Sequence, residues 1–295
     1  MLAPGPLTLP TDAGRPGLAA LGVSPSGAFD RGGYALANRL AGNPEGAPAL
    51  EVTLGGLAVR ARGEVLCVLT GADARARLEP RAAAPRPAAP HTPLYLVDGD
   101  VLRLGTPRVG LRTYLATRGG LEFPATLGSA SADLLSGLGP SPLRAGDLLG
   151  IRPLLGDFPV TDTVGVAGPD AGALVLDALP GPRDDWFDLT GLAAAAWRIT
   201  AASNRIGVRL TGEPLTRRPA FEGRELPSEP TVRGSVQVPP DGLPVIFGPD
   251  HPVTGGYPVI AVLTAAALDL LAQGRPGQEV RLRLGARPDP EASHG

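Results

Sequence analysis

The 295-residue sequence contains no lysine, and its 27 strongly basic residues are all arginines. Without lysine, the chain has no amine to form a Schiff base, no phosphate-binding lysine of a Walker motif and no side chain to carry biotin or lipoate. We therefore expect this chain to bind no cofactor by itself. If a nucleotide or a carrier group is involved, another chain must hold it.

Cysteine and aromatic residues are almost as scarce. Cys67 is the single cysteine, which excludes an intrachain disulfide and a cysteine-rich zinc site. It lies in the apolar run EVLCVLTG (64–71), which is typical of a buried strand and predicts an inert core thiol. Aromatic residues make up 4% and the net charge is −2, so the chain has neither many base-stacking side chains nor a basic field that attracts nucleic acid.

Long apolar runs are missing as well. The longest, YPVIAVLTAAALDLLA (257–272), contains Asp269 and is too short to cross a bilayer. No positive charge precedes Arg15, and the apolar core of a signal peptide is absent. These features predict a soluble, cytoplasmic protein with no membrane partner and no nucleic-acid partner.

Glycine and proline, by contrast, are abundant, with 41 and 34 residues that separate short apolar runs. One plan recurs, a turn with glycine and a polar residue followed by a short strand, in segments 61–71, 97–105, 143–151 and 275–285. This pattern predicts a mainly β protein of antiparallel sheets, in which closed barrels protect the strand edges. Turn residues also cluster over 152–168, so we predict two β-rich domains, 1–155 and 156–295.

Helices are expected in three short stretches. Asp30 is placed to cap a helix over 31–41 that Gly42 ends. A second is expected over 184–197, capped by Asp184 or Asp185, and a third over 264–274, ended by Gly274. The two neighbouring aspartates point apart, which suits capping better than metal binding, so we expect no metal site.

Two familiar motifs are nearly present in the sequence. Residues 22–26, GVSPS, lack the second glycine of a nucleophile elbow, and GLGPSP (137–142) has proline where a dinucleotide turn has its third glycine. We therefore interpret the stretch around residues 24–43 as a loop that leads into a helix. Its candidate functional residues are Ser26, Asp30 and Arg31.

Three polar turns in the second half are better candidates for a binding site. They lie in ASNRIGVRL (202–210), SVQVPPDGLPV (235–245) and DHPVTGGYP (250–258). Their amide, carboxylate, guanidinium and phenol groups suit a ligand with an amide or a carboxylate. The competing interpretation is that these residues complete turns by structural hydrogen bonds. The substrate-binding candidates are Asn204, Arg205, Gln237, Asp241 and Tyr257, with Gly255 and Gly256 allowing their loop to move.

Taken together, six stretches resemble the allophanate hydrolase subunit 2 family, in the same order along the chain. They are GRPGLAALGVSPSGAFDRGGYALANRLAGNPEGAPALEVTLGG, LTGADA, GPRDDWF, SNRIGVRL, GSVQVPPDGLPVI and TGGYP, spread over about residues 14–285. Members of this family include biotin-dependent carboxyltransferase-like proteins, kinase-inhibitor antagonists and the C-type component of 5-oxoprolinase. The resemblance implies a cyclophilin-like β-barrel fold and a B-type partner, similar to allophanate hydrolase subunit 1.

The resemblance also implies a function. The expected function is that of the C-type component of an ATP-dependent 5-oxoprolinase, which opens 5-oxo-L-proline to L-glutamate together with the B-type partner and a third subunit of the lactam-utilisation type. The isolated chain is then expected to be inactive, with the ATP used by the complex. Two alternatives stay open: a carboxyltransferase component that acts on urea or a related amide, and a non-enzymatic regulatory partner of a kinase-inhibitor-like protein. Neither the residues nor the resemblance identifies a catalytic residue.

Overall fold

A computed structural model describes residues 1–153 and 164–286. The predicted mainly β class, with barrel architecture and few short helices, is confirmed. The chain forms two compact units: unit 1 comprises 1–18 and 25–171, and unit 2 comprises 19–24 and 172–295. The domain boundary predicted at residue 155 falls in 154–163, outside the described residues.

The described part of unit 1 is built from twelve strands and one α-helix. The helix is α1 (Arg31–Leu40). The strands are β1 (Ala3–Pro4), β2 (Leu7–Thr11), β3 (Ala49–Thr53), β4 (Leu57–Arg60), β5 (Val65–Gly71), β6 (Arg77–Glu79), β7 (Arg86–Pro87), β8 (Leu94–Leu96), β9 (Val101–Arg103), β10 (Arg112–Thr117), β11 (Leu121–Glu122) and β12 (Gly150–Ile151).

Two five-stranded sheets enclose the main core of unit 1. Their strand orders are β1-β4-β9-β6-β7 and β2-β3-β10-β5-β8, and β11 pairs with β12 separately. The burial of both faces of β5 explains why its sequence is an unbroken apolar run. Cys67 and Leu69 face the core between the sheets, while Val68 packs with α1 on the other face. A strand that is buried on both faces needs apolar residues at every position.

The first predicted helix is confirmed at both ends. A side-chain oxygen of Asp30 accepts a hydrogen bond from Gly33 N at 2.7 Å, and the helix ends at Leu40 with Ala41 as its C-cap. Gly42 follows at φ +73°, a left-handed conformation that favours glycine.

Cys67 is expected to resist thiol reagents in the folded protein. The side chain is buried, and burial raises the pKa of its thiol to about 12, so almost no thiolate exists near neutral pH. Mass spectrometry after treatment with excess iodoacetamide at pH 8 should find the folded protein unlabelled and the urea-unfolded protein fully labelled. Rapid labelling of the folded protein would contradict this assignment.

The described part of unit 2 contains the C-terminal nine strands and two α-helices. The helices are α2 (Leu189–Ala194) and α3 (Ala265–Ala272). The strands are β13 (Leu174–Pro180), β14 (Trp197–Ile199), β15 (Gly207–Thr211), β16 (Glu229–Pro230), β17 (Ser235–Gln237), β18 (Val245–Phe247), β19 (Thr254–Gly255), β20 (Val259–Leu263) and β21 (Glu279–Leu284).

Seven of these strands close into a barrel in the order β13-β20-β17-β18-β15-β14-β21. The sequence predicts antiparallel pairing, and six ladders are antiparallel, but β13 and β21 are parallel. The reason is parity, because an odd number of strands cannot alternate in direction around a closed ring. In β21 the predicted alternation is confirmed, with Val280 and Leu282 buried and the arginines between and after them exposed.

The helix predicted over 184–197 is wrong in extent and in its cap. Residues Asp184–Trp186 form one turn of 3₁₀-helix, Phe187 is extended, and α2 begins only after Asp188, whose side chain accepts a hydrogen bond from Thr190 N at 3.0 Å. The break lies where Phe187 forms an isolated antiparallel bridge with Arg217, and a residue with this extended backbone cannot continue a helix. The third helix is confirmed as α3, capped by Thr264. Among the described helices, none has the length and apolar character that a bilayer crossing requires.

Candidate functional site

Three sequence motifs of unit 2, GPRDDWF, GSVQVPPDGLPVI and TGGYP, meet around Gln237, the last residue of β17. Its side chain is 5% exposed, and Nε2 donates a hydrogen bond to the backbone oxygen of Tyr257 at 2.9 Å. No described residue donates a hydrogen bond to the amide oxygen of Gln237. The amide is thus anchored by its nitrogen, and its oxygen is left for another partner.

A β-bulge lies beside Gln237. Val236 pairs with Ala261 of β20, but Gln237 pairs with Val259, so β20 has one extra residue at this point. The segment GPRDDWF docks on the bulge: Gly181 N donates to Ile260 O at 2.9 Å and Arg183 N to Val259 O at 3.0 Å. A Cβ on Gly181 would lie 2.5 Å from Val259 O, so only glycine fits this approach.

Arg183 connects this segment to the neighbouring hairpin. Its guanidinium forms a two-point ion pair with Glu229, and Glu229 pairs through β16 with Gly255 of β19. The hydrogen bond from Arg183 lowers the pKa of Glu229 below its usual value. Glu229 is therefore ionised at neutral pH and is unsuited to act as a general acid. We refer to Arg183, Glu229, Gln237, Gly255 and Tyr257 as the Gln237 site.

Gly255 and Tyr257 are thus the predicted residues that the structure brings next to Gln237. A Cβ on Gly255 would lie 2.6 Å from Gln237 Nε2, so this glycine permits a close approach to the amide. Gly256 is exposed, and a Cβ at this position would come no closer than 3.4 Å to its nearest neighbour, Leu226 O. The side chain of Tyr257 is 45% exposed and lies at the surface.

Asn204 and Asp241 complete turns. Asn204 Oδ1 accepts hydrogen bonds from Ile206 N at 2.8 Å and Gly207 N at 3.1 Å. Asp241 Oδ1 accepts a hydrogen bond from Leu243 N at 3.1 Å. These are the local bonds by which Asn and Asp favour turns, as the competing interpretation of the sequence expects.

Arg205 forms a buried ion pair. Its Nε and Nη2 donate to the two carboxylate oxygens of Asp250 at 2.8 and 3.0 Å, and the two side chains are 2% and 0% exposed. The sequence pattern places Arg205 among the residues that face a substrate. In the structure a carboxylate of the chain itself occupies the guanidinium, and a substrate would have to displace it.

Strand register separates the predicted residues into two groups. Gly207 pairs with Phe247 and Gln237 with Val245, which are the two ends of β18. Arg205 therefore lies beyond one end of β18, and the turn with Asp241 lies beyond the other. Which of these residues binds a ligand stays a prediction.

The three loop candidates of the first half have different environments. Asp30 caps α1, and Arg31 is exposed on its first turn. Ser26 is fully buried at φ +49°, and its hydroxyl has no hydrogen-bond partner among the described residues. The preceding Ser24 belongs to unit 2, where its hydroxyl donates to Pro249 O at 2.8 Å, beside Asp250.

Sequence reasoning missed the Arg183–Glu229 pair and the partner of Arg205. GPRDDWF is visible as a motif, but its local signal is the adjacent pair Asp184 and Asp185 rather than Arg183. The two ion pairs join residues 46 and 45 positions apart, and no local pattern indicates such a contact. Within 1–153 and 164–286, no group of three or more His, Cys, Asp or Glu side chains is placed to hold a metal ion.

Comparison with known proteins identifies relatives over almost the whole chain. The protein-family model for the carboxyltransferase domain, subdomain A and B, matches residues 21–284. The C-type component of 5-oxoprolinase from Escherichia coli K12 is 38% identical over 94% of this chain and 87% of its own length. The C-type component of 5-oxoprolinase from Haemophilus influenzae is 32% identical over 92% of this chain and 85% of its own length.

More distant relatives are larger proteins. Urea amidolyase of Lachancea kluyveri is 31% identical over 95% of this chain but only 16% of its own length. Among solved structures, TTHA0988 superposes with a TM-score of 0.83 at 34% identity, over 96% of this chain. This chain spans 55% of the TTHA0988 chain and 27% of the Kluyveromyces lactis urea carboxylase chain, which superposes with a TM-score of 0.82 at 29% identity.

Proposed function

Because this chain belongs to the family of carboxyltransferase domains with subdomains A and B, we propose that it is the C-type component of a 5-oxoprolinase. The observation that carries the proposal is the 38% identity to the corresponding component of E. coli 5-oxoprolinase, which covers 94% of this chain and 87% of that protein. The reaction would open the lactam of 5-oxo-L-proline to L-glutamate at the expense of ATP.

The chemistry explains why several chains are needed. A lactam amide is stabilised by resonance, and phosphorylation of its carbonyl oxygen by ATP would make the carbon reactive toward water. This chain has no lysine to hold the phosphates, so the nucleotide would be bound by a B-type partner or by a third, lactam-utilisation-type subunit. The role left for this chain is to bind and orient the lactam.

The Gln237 site supports that role. The substrate carries a lactam N–H and a carboxylate, and the free amide oxygen of Gln237 is an acceptor for the N–H. Arg183 contacts Glu229 through Nε and Nη2, which leaves Nη1 for the substrate carboxylate. The half-exposed ring of Tyr257 would form one wall. Positioning of this kind lowers the barrier by holding the reacting bond in one orientation.

Reconstitution tests the function directly. Co-expression with a B-type partner and a lactam-utilisation-type subunit should give one complex in size-exclusion chromatography and ATP hydrolysis that depends on 5-oxo-L-proline and yields glutamate. The urea amidolyase relatives favour carboxylation of urea as the second candidate, which would instead require bicarbonate and biotin. A stable complex with no turnover under either condition would refute both activities and leave a regulatory binding role.

Replacing Gln237 by alanine is expected to lower oxoproline-dependent turnover of the complex by about 2- to 10-fold, since a lost hydrogen bond between neutral groups is worth about 0.5–1.5 kcal/mol. The matched control is Gln278→Ala, because Gln278 Nε2 also donates to a backbone oxygen, Gly172 O at 2.8 Å, away from the site. Equal turnover of the two variants at equal thermal stability would show that Gln237 does not contact the substrate.

A further inference from the structure

Unit 1 contains an apolar cavity that the proposed lactam chemistry does not use. Its volume is about 490 Å³, and it lies in the core between the two five-stranded sheets. Protein interiors contain few voids larger than a water molecule, whereas pockets that bind small molecules measure about 300–1,000 Å³. The walls come from both sheets and include Leu50, Val59, Cys67, Leu96, Leu102 and Leu115.

The cavity has a basic mouth. Arg60 and Arg62 line it, both are exposed, and neither forms an ion pair with a described residue. The carboxylate at the same rim, Asp147, accepts a hydrogen bond from Arg144 N at 2.7 Å. Two unpaired guanidinium groups at the opening of an apolar space attract a ligand with an anionic end.

A surface groove continues from the cavity. This second space, of about 690 Å³, shares Arg62, Val65 and Leu96 with the cavity. It adds two basic side chains, Arg118 and Arg152, and one acidic side chain, Glu64. Val65 stands where the two spaces meet, at the start of β5. A ligand can therefore enter along the groove and leave its charged end among arginines.

A buried hydroxyl without a partner lies in the cavity wall. Thr117, the last residue of β10, is 6% exposed, and its Oγ1 forms no hydrogen bond with a described residue. A buried polar group that lacks a partner is unfavourable, and such groups usually mark a bound molecule or a functional role. The oxygen itself has almost no exposed surface, however, so the charged groups at the mouth are the polar contacts that a ligand can reach.

We propose that this cavity binds a monocarboxylate with a long apolar chain, such as a medium-chain fatty acid. The chain lies among the leucines between the sheets, and the carboxylate lies at the mouth, beside Arg60 and Arg62. The inference does not rest on the 5-oxoprolinase assignment, since none of these residues belongs to the Gln237 site.

Isothermal titration of the full chain with decanoate tests the proposal. One molecule is expected to bind per chain, and decanol, which has the same apolar chain without the charge, is expected to bind at least about tenfold more weakly. The double variant Arg60→Ser/Arg62→Ser should lose about tenfold in affinity. Arg77→Ser, which removes an exposed arginine of β6 away from the cavity, should bind like the wild type.

Val65→Trp provides a steric test, because a large ring at this position fills the passage between groove and cavity. The variant should lose decanoate binding while the complex keeps its oxoproline-dependent turnover, which separates this proposal from the proposed function. If the variant does not fold, the arginine variants decide the question. Absence of saturable binding, unchanged affinity in the arginine variants, or equal affinity for decanol and decanoate would overturn the proposal.

Discussion

Replacing Arg205 by alanine is expected to lower the free energy of unfolding by about 3–5 kcal/mol. The variant leaves Asp250 in a position where its side chain is 0% exposed and its two-point partner is gone. An ionised carboxylate that has lost its counter-charge is strongly unfavourable in such surroundings. The loss should appear as a lower midpoint in urea-induced unfolding, followed by far-ultraviolet circular dichroism.

The matched control for this prediction is Arg209→Ala. Arg209 lies on β15, in the same segment of the chain, but its side chain is exposed, so the expected change is within about 0.5 kcal/mol. Asp250→Ala should lower the free energy of unfolding as strongly as Arg205→Ala does. In the double variant, the decrease in the free energy of unfolding should be smaller than the sum of the two single decreases. If Arg205→Ala keeps wild-type stability and loses only turnover, the guanidinium serves the substrate and the ion pair is dispensable.

Stability is expected to fall steeply on the alkaline side, by several kcal/mol between about pH 9 and 12. Burial raises the pKa of Cys67 to about 12 from 9.0, and it also raises the pKa of Tyr34 and Tyr114 above 10.0. The hydroxyl of Tyr114 donates to Glu51 Oε2 at 2.8 Å, and this neighbouring carboxylate disfavours the phenolate further.

The direction follows from proton counts. Above pH 9–10 the unfolded chain releases these protons while the folded protein retains them, so the folded state binds more protons and loses stability as pH rises. Each such group contributes about 1.4 kcal/mol per pH unit. Urea unfolding at a series of pH values should therefore show a shallower decline for Cys67→Ala than for the wild type. Parallel curves for the two proteins would contradict the assignment.

Local signals are sufficient for much of the fold. The alternation in β21 identifies its buried face. Asp30 and Gly42 mark the two ends of α1, and Thr264 precedes α3. These signals are readable because strand alternation and helix capping depend on neighbours in sequence. The prediction for α2 is wrong because a tertiary contact, the bridge between Phe187 and Arg217, outweighs a continuous helical pattern.

The candidate site is less predictable for the same reason. Gln237 and Tyr257 are identified from residue type, but their contact arises because β17 and β20 are neighbours in the barrel. The pairs Arg183–Glu229 and Arg205–Asp250 each join separate strands or loops, and the segment 19–24 belongs to unit 2 although it interrupts unit 1 in sequence. Such associations depend on the complete topology, which composition and spacing do not encode.

The parallel pair that closes the barrel has a consequence for synthesis on the ribosome. β13 and β21 are the first and last strands of the barrel along the chain, so the ring stays open until residues 279–284 have emerged. Until then β13 and β14 each present an unpaired strand edge, the kind of surface through which nascent chains associate. Unit 1, whose sheets are complete by residue 151, can fold during translation, whereas the barrel can close only near the end.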